Sequence, residues 1–375
     1  MDGGKHWRDL RRFDWPSGQD QSDHHSHPYE VIKRLLAVVE NSRGASCAFA
    51  LNGFATSLQA VWAAAAALRL MAGLSRPGAT ETGFLACGGA DNKDGGMMKK
   101  IVFLGCGSMG EAILSGMLAA GTLPSAVTVT VRRPERAHEL ATRHGVTALA
   151  SNEEPGANAE AVAGASVVIL GVKPVGIIDL CREIADALPG DAVVVSVAAA
   201  VSLAQMEAAL HPGQPVVRSM PNTPLKVGRG VVALSAGTAA DEHHLAAAHE
   251  IFDGSGVVLD VPEDQQNAVS AISGSGPAYA FYLAEAMAAA AEGFGLSPQI
   301  AQILARETVA GAGIMLAEPG ANATELRRAV TSPNGTTEQA IASFDRDGLP
   351  AIIETGAQAA AARAAQITAE LAAPN

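Results

Sequence analysis

Aromatic side chains are scarce, positive charge is outnumbered, cysteines stand apart and no long apolar run is unbroken. Phe, Trp and Tyr amount to 4% of the 375 residues, while Ala and Gly abound. That balance favours tightly packed helices and Gly-rich turns over aromatic-lined cavities. A formal net charge of −12 excludes a general nucleic-acid binder, because phosphate affinity needs a clustered excess of Lys and Arg. The four cysteines, Cys47, Cys87, Cys106 and Cys181, form no C-x-x-C pair, so neither a disulfide framework nor a zinc site is signalled. They read as small buried hydrophobes in a reducing, cytoplasmic compartment. The most apolar segment, Ala45 to Leu74, is interrupted by Asn52, Ser57, Gln59 and Arg69 and is largely alanine, which argues against a membrane span. No signal-peptide order appears at the N-terminus.

What remains is ordinary for a soluble globular protein: 48% hydrophobic and 17% charged residues, enough chain for two domains. Residues 1–97 differ from the rest and read as a poorly ordered extension, either a lineage-specific addition or the result of a start placed too early, before Met97. Its His24, His25 and His27 read as a solvated tail, since no further ligands follow at metal-site spacing. No metal site is expected.

From Lys100 strands and helices alternate. Apolar runs at Ile101–Gly105, Val127–Val131, Val167–Val172, Ala192–Val197, Val216–Ser219, Val231–Ser235 and Val257–Leu259 read as short strands. Helices are expected over Ser108–Ala120 and Pro134–His144. This spacing predicts an α/β fold with a doubly wound parallel sheet over residues 98–262. Past Pro262 only helical periodicity remains, through Ala278–Phe294, Pro298–Leu316, Ala323–Val330, Thr337–Asp347 and Leu349–Leu371. So thin and Ala-rich a set, spanning residues 263–375, buries its own faces poorly, which points to dimerisation through it.

Gly105-Cys106-Gly107-Ser108-Met109-Gly110 closes the first strand and opens the first helix. Three glycines there serve a tight turn, close approach to a pyrophosphate and helix–strand packing, and the helix start offers free N–H groups. At the end of the second strand an NAD-specific site would carry Asp or Glu. This chain has Arg132 and Arg133, suited to gripping a 2′-phosphate, so NADPH is the expected cofactor, with NADH as a possible second. Val172-Lys173-Pro174 and Met220-Pro221-Asn222-Thr223-Pro224 also follow strand ends, where open α/β sheets bind ligands. Both are assigned to the cofactor, Lys173 with an exposed strand cap as its alternative.

Two further segments pack small residues ahead of helices: Ser273-Gly274-Ser275-Gly276-Pro277 and Ser332-Pro333-Asn334-Gly335-Thr336-Thr337. Each is expected to present backbone N–H groups and hydroxyls as a carboxylate or phosphate cradle, with a plain capped helix start as the alternative. Neither holds an ionisable side chain. Ketone reduction usually recruits a general acid. A cyclic imine arrives already protonated on nitrogen and needs mainly to be held in place.

Together these segments resemble the pyrroline-5-carboxylate reductase family. The signature stretches are Val269–Phe281 (VSAISGSGPAYAF) and Val330–Thr337 (VTSPNGTT), in the family's order with the Gly105–Gly110 loop, Val172–Pro174 and Met220–Pro224. The resemblance spans about residues 99–373. It implies a Rossmann domain, an interleaved helical homodimer that could build larger homo-oligomers, and reduction of 1-pyrroline-5-carboxylate to L-proline with NAD(P)H. It also implies that the second signature loop holds the substrate carboxylate through backbone amides, with hydroxyls from Ser332 and Thr337, the latter near the substrate nitrogen. One departure is Asn334, where the family usually has Gly. Asn tolerates left-handed backbone better than most residues, so the loop shape is expected to survive. A 3-hydroxyacid dehydrogenase would place a catalytic Lys four residues after Gly276, but that position is Ala280. A non-catalytic NADP(H) sensor would have no need of the two substrate loops.

Overall fold

The structure is a computed structural model that describes residues 99–372. The expected extension over residues 1–97, its histidines, the apolar segment from Ala45, Cys47 and Cys87 lie outside the described residues.

Eight strands form one sheet: β1 (Ile101–Leu104), β2 (Val127–Val131), β3 (Thr147–Ala150), β4 (Val167–Leu170), β5 (Val193–Ser196), β6 (Val216–Pro221), β7 (Gly230–Ala236) and β8 (Gly256–Asp260). Their order is β3-β2-β1-β4-β5-β6-β7-β8. The first six are parallel in the doubly wound 3-2-1-4-5-6 arrangement. The expected doubly wound parallel sheet is present, with one antiparallel pair at its far edge. β7 pairs antiparallel with β6, and β8 then runs parallel to β7. The cause is the short link between β6 and β7, in which Thr223–Val227 makes a 3₁₀ turn and Gly228 (φ +67°) reverses the chain. A parallel crossover needs a dozen or so residues, more than this link supplies.

The parallel strands are near-continuous apolar runs because both faces are covered. Successive residues of β1 alternate between two cores. Phe103 packs with Val129, Ile169 and Val195 against α1 (Ser108–Ala119), α2 (Pro134–His144) and, through Ile251 and Phe252, a later helix. Val102 and Leu104 pack with Val168 and Val194 on the opposite face. That face is closed by α3 (Ala157–Val162), α4 (Ile177–Ile184) and α5 (Leu203–Ala209). The later helix, α6 (Glu242–Phe252), starts on an Asp241 cap that accepts from the His243 and His244 N–H groups.

Beyond β8 the chain is helical. α7 (Gln266–Val269) passes through a π-helical turn, Ser270–Gly274, into α8 (Gly276–Gly293). α9 (Pro298–Leu316), α10 (Ala323–Ala329), α11 (Thr336–Arg346) and α12 (Leu349–Ala372) follow. α8 packs on α9, α11 on α12, and α12 returns to the π-helical turn and α7. These helices bury little. α8, α10, α11 and α12 hold no buried residue, and α9 buries only Ala301 and Ala305. Phe281, Tyr282 and Phe294 are 70%, 72% and 87% exposed.

Candidate functional site

Because β1, β2, β4, β5 and β6 are parallel, their carboxyl ends share one edge of the sheet. The strand order reverses between β1 and β4, so a crevice opens there. Gly105 follows β1 in left-handed backbone (φ +83°), donating its N–H to the Thr130 carbonyl at 2.8 Å. Gly171 follows β4 and lies so close that a Cβ on it would strike the Gly105 carbonyl oxygen. A Cβ on Gly110 would sit 3.3 Å from the same oxygen. Packing therefore requires glycine at position 171, while at 110 a Cβ would be tight against the loop. Gly107 is different: a Cβ there meets no atom within 4 Å, so nothing within the protein calls for a glycine. Gly107 is also the N-cap of α1 and brings no side-chain cap. An open glycine beside uncapped N–H groups at a helix start fits a dinucleotide pyrophosphate. Cys106, between them, is buried, and burial pushes its thiol up to about 12, so it stays neutral.

Arg132 and Arg133 are exposed at the end of β2 and form no ion pair among the described residues. Val172 leaves β4 beside Gly105, where a Cβ on that glycine would lie 2.7 Å from Val172 Cγ1. Lys173 is exposed and caps the 3₁₀ turn Pro174–Gly176. At the end of β6, Met220 is half-buried and Thr223 exposed, but Asn222 is buried with its amide fully employed. Its Oδ1 accepts from the Val231 N–H at 2.9 Å, and its Nδ2 donates to the Ser273 carbonyl and Oγ, both at 3.1 Å. Asn222 thus joins the sheet edge to the π-helical turn, a bond that its assignment to the cofactor did not foresee.

The first small-residue segment corrects another expectation. Ser273 to Pro277 is not a fresh helix start. It lies inside an almost continuous helix, and Ser275, the residue before α8, is itself in right-handed helical backbone. The Ser275 N–H is spent on the Ser270 carbonyl at 2.8 Å, so a cradle of free amides does not form there. A Cβ on Gly274 would lie 2.6 Å from Met220 Cε, the free end of a flexible side chain that would have to turn aside.

The second segment does form a helix start. Asn334 is left-handed at φ +60°, and the Gly335 N–H closes a turn on the Ser332 carbonyl at 3.0 Å. Gly335 caps α11 without a side chain, leaving the first-turn N–H groups of Thr336 and Thr337 without a side-chain partner. Ser332 and Thr336 are exposed and Thr337 is half-buried. Among the described residues, every hydrogen bond of the loop and turn at Thr331 to Thr337 ends within this segment or its flanking helices. None reaches the sheet edge.

Two family models match the chain. One, described as pyrroline-5-carboxylate reductase dimerisation, covers residues 263–367, and one described as NADP oxidoreductase, coenzyme F420-dependent, covers residues 100–200. The chain is 39% identical over 293 residues to the pyrroline-5-carboxylate reductase of Mycobacterium tuberculosis, covering 72% of this chain and 97% of that one. It belongs to the pyrroline-5-carboxylate reductase family. The enzyme of Pseudomonas aeruginosa is 37% identical over 273 residues, covering 72% of this chain and 98% of its own. Among solved structures, the pyrroline-5-carboxylate reductase of Coxiella burnetii superposes with a TM-score of 0.68 at 35% identity, over 72% of this chain and 99% of that one. The Plasmodium falciparum pyrroline carboxylate reductase with NADP bound gives 0.62 at 21% identity, over 73% and 100%, a likeness of fold.

Several polar groups of this family member escaped the sequence reading. Arg218, buried on β6, donates to Glu263 at 3.0 Å, and Glu263 also accepts the Leu203 N–H at 2.7 Å. That pair ties the entrance of the helical region to the sheet. Glu338 reaches back to the Asn334 N–H at 2.8 Å, so a loop without ionisable residues of its own carries a carboxylate beside it. The three-residue spacing from Gly335 was the available signal, since a Glu there commonly folds back over a helix start. Glu111 sits in the first turn of α1. Burial pushes its carboxyl up, but hydrogen bonds from Arg136, His144 and Arg143 outweigh burial and hold it at about 2.

Proposed function

We propose that the chain is an NADPH-dependent pyrroline-5-carboxylate reductase that reduces the C=N bond of 1-pyrroline-5-carboxylate to give L-proline. Family membership supports the reaction. The observation that carries the site is the start of α11, an uncapped helix N-terminus flanked by hydroxyls on Ser332, Thr336 and Thr337. The Thr336 and Thr337 N–H groups would hold the substrate carboxylate, and the Ser332 hydroxyl would donate to it. The Thr337 hydroxyl oxygen would accept the N–H of the protonated imine. Gly335 and Asn334 shape this turn, and Ser273 to Pro277 would close the ring's other side through hydroxyls rather than free amides.

The Gly105–Gly110 loop would hold the pyrophosphate, with Val172, Lys173, Pro174, Met220 and Thr223 along the crevice and Arg132 and Arg133 at the 2′-phosphate. A reduced nicotinamide bound there supplies a hydride to the imine carbon. The π pair of the C=N bond becomes the nitrogen lone pair, which takes a proton from solvent, so no protein acid has to be consumed. What the chain contributes is orientation: the imine carbon is held against the sheet edge.

The same reading includes a homodimer and a site shared between subunits. It is supported by the dimerisation family match, by the exposed apolar face of α8 and α9, and by the absence of a bond from Thr331–Thr337 to the sheet edge. A cytoplasmic setting is supported by free thiols at Cys106 and Cys181. The test is turnover: NADPH should be consumed only with pyrroline-5-carboxylate, with L-proline as product. NADPH oxidation without proline would refute it.

A further inference from the structure

Arg136 lies in the first turn of α2, just past the exposed Arg132 and Arg133, and its guanidinium turns back under the Gly-rich loop. One nitrogen, Nη2, donates to the Cys106 carbonyl at 3.3 Å and to Glu111 Oε2 at 2.5 Å. The other, Nη1, donates to Glu139 at 2.7 Å. Glu111 is held from both sides, because its Oε1 also meets Arg143 at 2.5 Å and His144 Nε2 at 3.1 Å. Arg136 and Glu111 are each only 19% exposed, unlike the surface pairs elsewhere.

Two consequences follow for an anion at the start of α1. In a trans peptide the carbonyl and the following N–H point in opposite directions. Holding the Cys106 carbonyl toward α2 therefore aims the Gly107 N–H the other way, away from α2. Glu111, one turn into α1, would also oppose a pyrophosphate at that helix start if it were unpaired. Arg136 and Arg143 together balance Glu111 and Glu139, and Arg136 holds the Glu111 carboxylate against α2.

We propose that Arg136 is a positioning residue for the cofactor pyrophosphate, acting through the Cys106–Gly107 peptide and through Glu111. This rests on the reading of Gly105–Gly110 as the cofactor loop. It differs from the role of Arg132 and Arg133, because a pyrophosphate is common to NADPH and NADH.

The experiment measures the Kd of each dinucleotide for the free full-length enzyme, without substrate, and kcat at saturating cofactor. Arg136→Ala should weaken NADPH and NADH by the same factor, about tenfold, with kcat within about twofold. Adding Glu111→Gln to Arg136→Ala should recover part of that loss, since it removes the negative charge that Arg143 alone leaves unbalanced between Glu111 and Glu139, but not the misaimed peptide. An unchanged Kd overturns the proposal. So does a loss confined to NADPH, which would make Arg136 a 2′-phosphate ligand, and so does a double variant no better than Arg136→Ala. Should the Ala variant not accumulate folded, Arg136→Lys keeps the charge but cannot span both acceptors. It should show a smaller equal loss, and wild-type affinity there also overturns the proposal. Wild-type enzyme that binds neither dinucleotide refutes the loop reading itself, while failure of imine turnover leaves this test standing.

Discussion

The two regions of the molecule handle apolar surface in opposite ways. In the sheet region Phe103, Leu104, Ile113, Ile169 and Phe252 are wholly buried, and both faces of the central strands are covered. In the helical region α8 and α9 pack on each other, yet Phe281, Tyr282, Ile303 and Leu304 stay between 49% and 72% exposed. Each such side chain gains about 1.5–3 kcal/mol when fully buried, so a handful is enough to drive association. The sheet region has a closed core and carries the crevice proposed for the dinucleotide. The helical region has the start of α11 and an unmatched apolar face. One region is complete within the chain, and the other is completed, on the reading proposed above, by a second copy.

The largest effect should come from spoiling that face. Phe281→Glu combined with Leu304→Glu would bury two unpaired carboxylates in the interface, at a cost of several kcal/mol. We expect monomers by light scattering, proline formation down by about a hundredfold or more, and NADPH binding retained by the sheet region. Leu123→Glu, an equivalent change at a 57% exposed position of the sheet region, should alter neither mass nor activity. A fully active monomer would end the comparison.

Next in size is a test of sharing. Thr337→Ala should lower kcat/KM by one to two powers of ten, about 1.5–3 kcal/mol, through loss of the hydroxyl at the imine nitrogen. Gly107→Trp should block the cofactor loop, because the open space at Gly107 is where the pyrophosphate is placed. When the two inactive proteins are dissociated and mixed, some mixed dimers will own one site wild type at both positions. Activity should then return. Demonstrated mixed dimers without activity would place a whole site within each subunit.

A smaller effect belongs to the sheet region alone. Replacing Arg132 and Arg133 together by Ala should weaken NADPH by about 1–3 kcal/mol and leave NADH nearly unchanged. Equal losses for both would remove the 2′-phosphate argument. Set beside Arg136→Ala, the two experiments separate recognition of the 2′-phosphate from support of the pyrophosphate.

The parts that were readable from sequence are those governed by local rules. Apolar runs placed seven of the eight strands within two residues but missed β3, Thr147–Ala150, a short and mostly unburied edge strand, and Gly105–Gly110 could be located because a strand, a tight turn and a helix follow in order. What escaped depends on contacts between distant residues. Nothing local shows that β7 turns back antiparallel, since its apolar pattern suits either direction. Ser273–Pro277 read as a helix start because Gly and Pro usually break helices, yet it continues one through a π-helical turn where a distant residue takes part: Asn222 bonds to both the Ser273 carbonyl and its Oγ. Glu111 and Arg136 lie 25 residues apart, and only the pairing of β1 with β2 brings their helices together.

The smallest expected effect concerns the one residue of the substrate loop that departs from the family's usual glycine. Asn334 holds φ +60° and donates its N–H to Glu338, so the turn has the shape a glycine would give it. Left-handed backbone costs most L-residues roughly 1–2 kcal/mol, less for Asn, whose short polar side chain suits that conformation. Asn334→Gly would relieve this strain, but it would also free the unfolded chain by a comparable amount. We therefore expect thermal stability to change by less than about 1 kcal/mol and the KM for pyrroline-5-carboxylate to stay within about twofold. Asn334→Val brings a β-branched side chain that disfavours positive φ. It should raise KM several-fold, with the KM for NADPH unchanged, because the strain stays within the helical region. If Gly and Val behaved alike, the left-handed turn would not be what presents the Thr336 and Thr337 amides, and the start of α11 would lose its place as the carboxylate site.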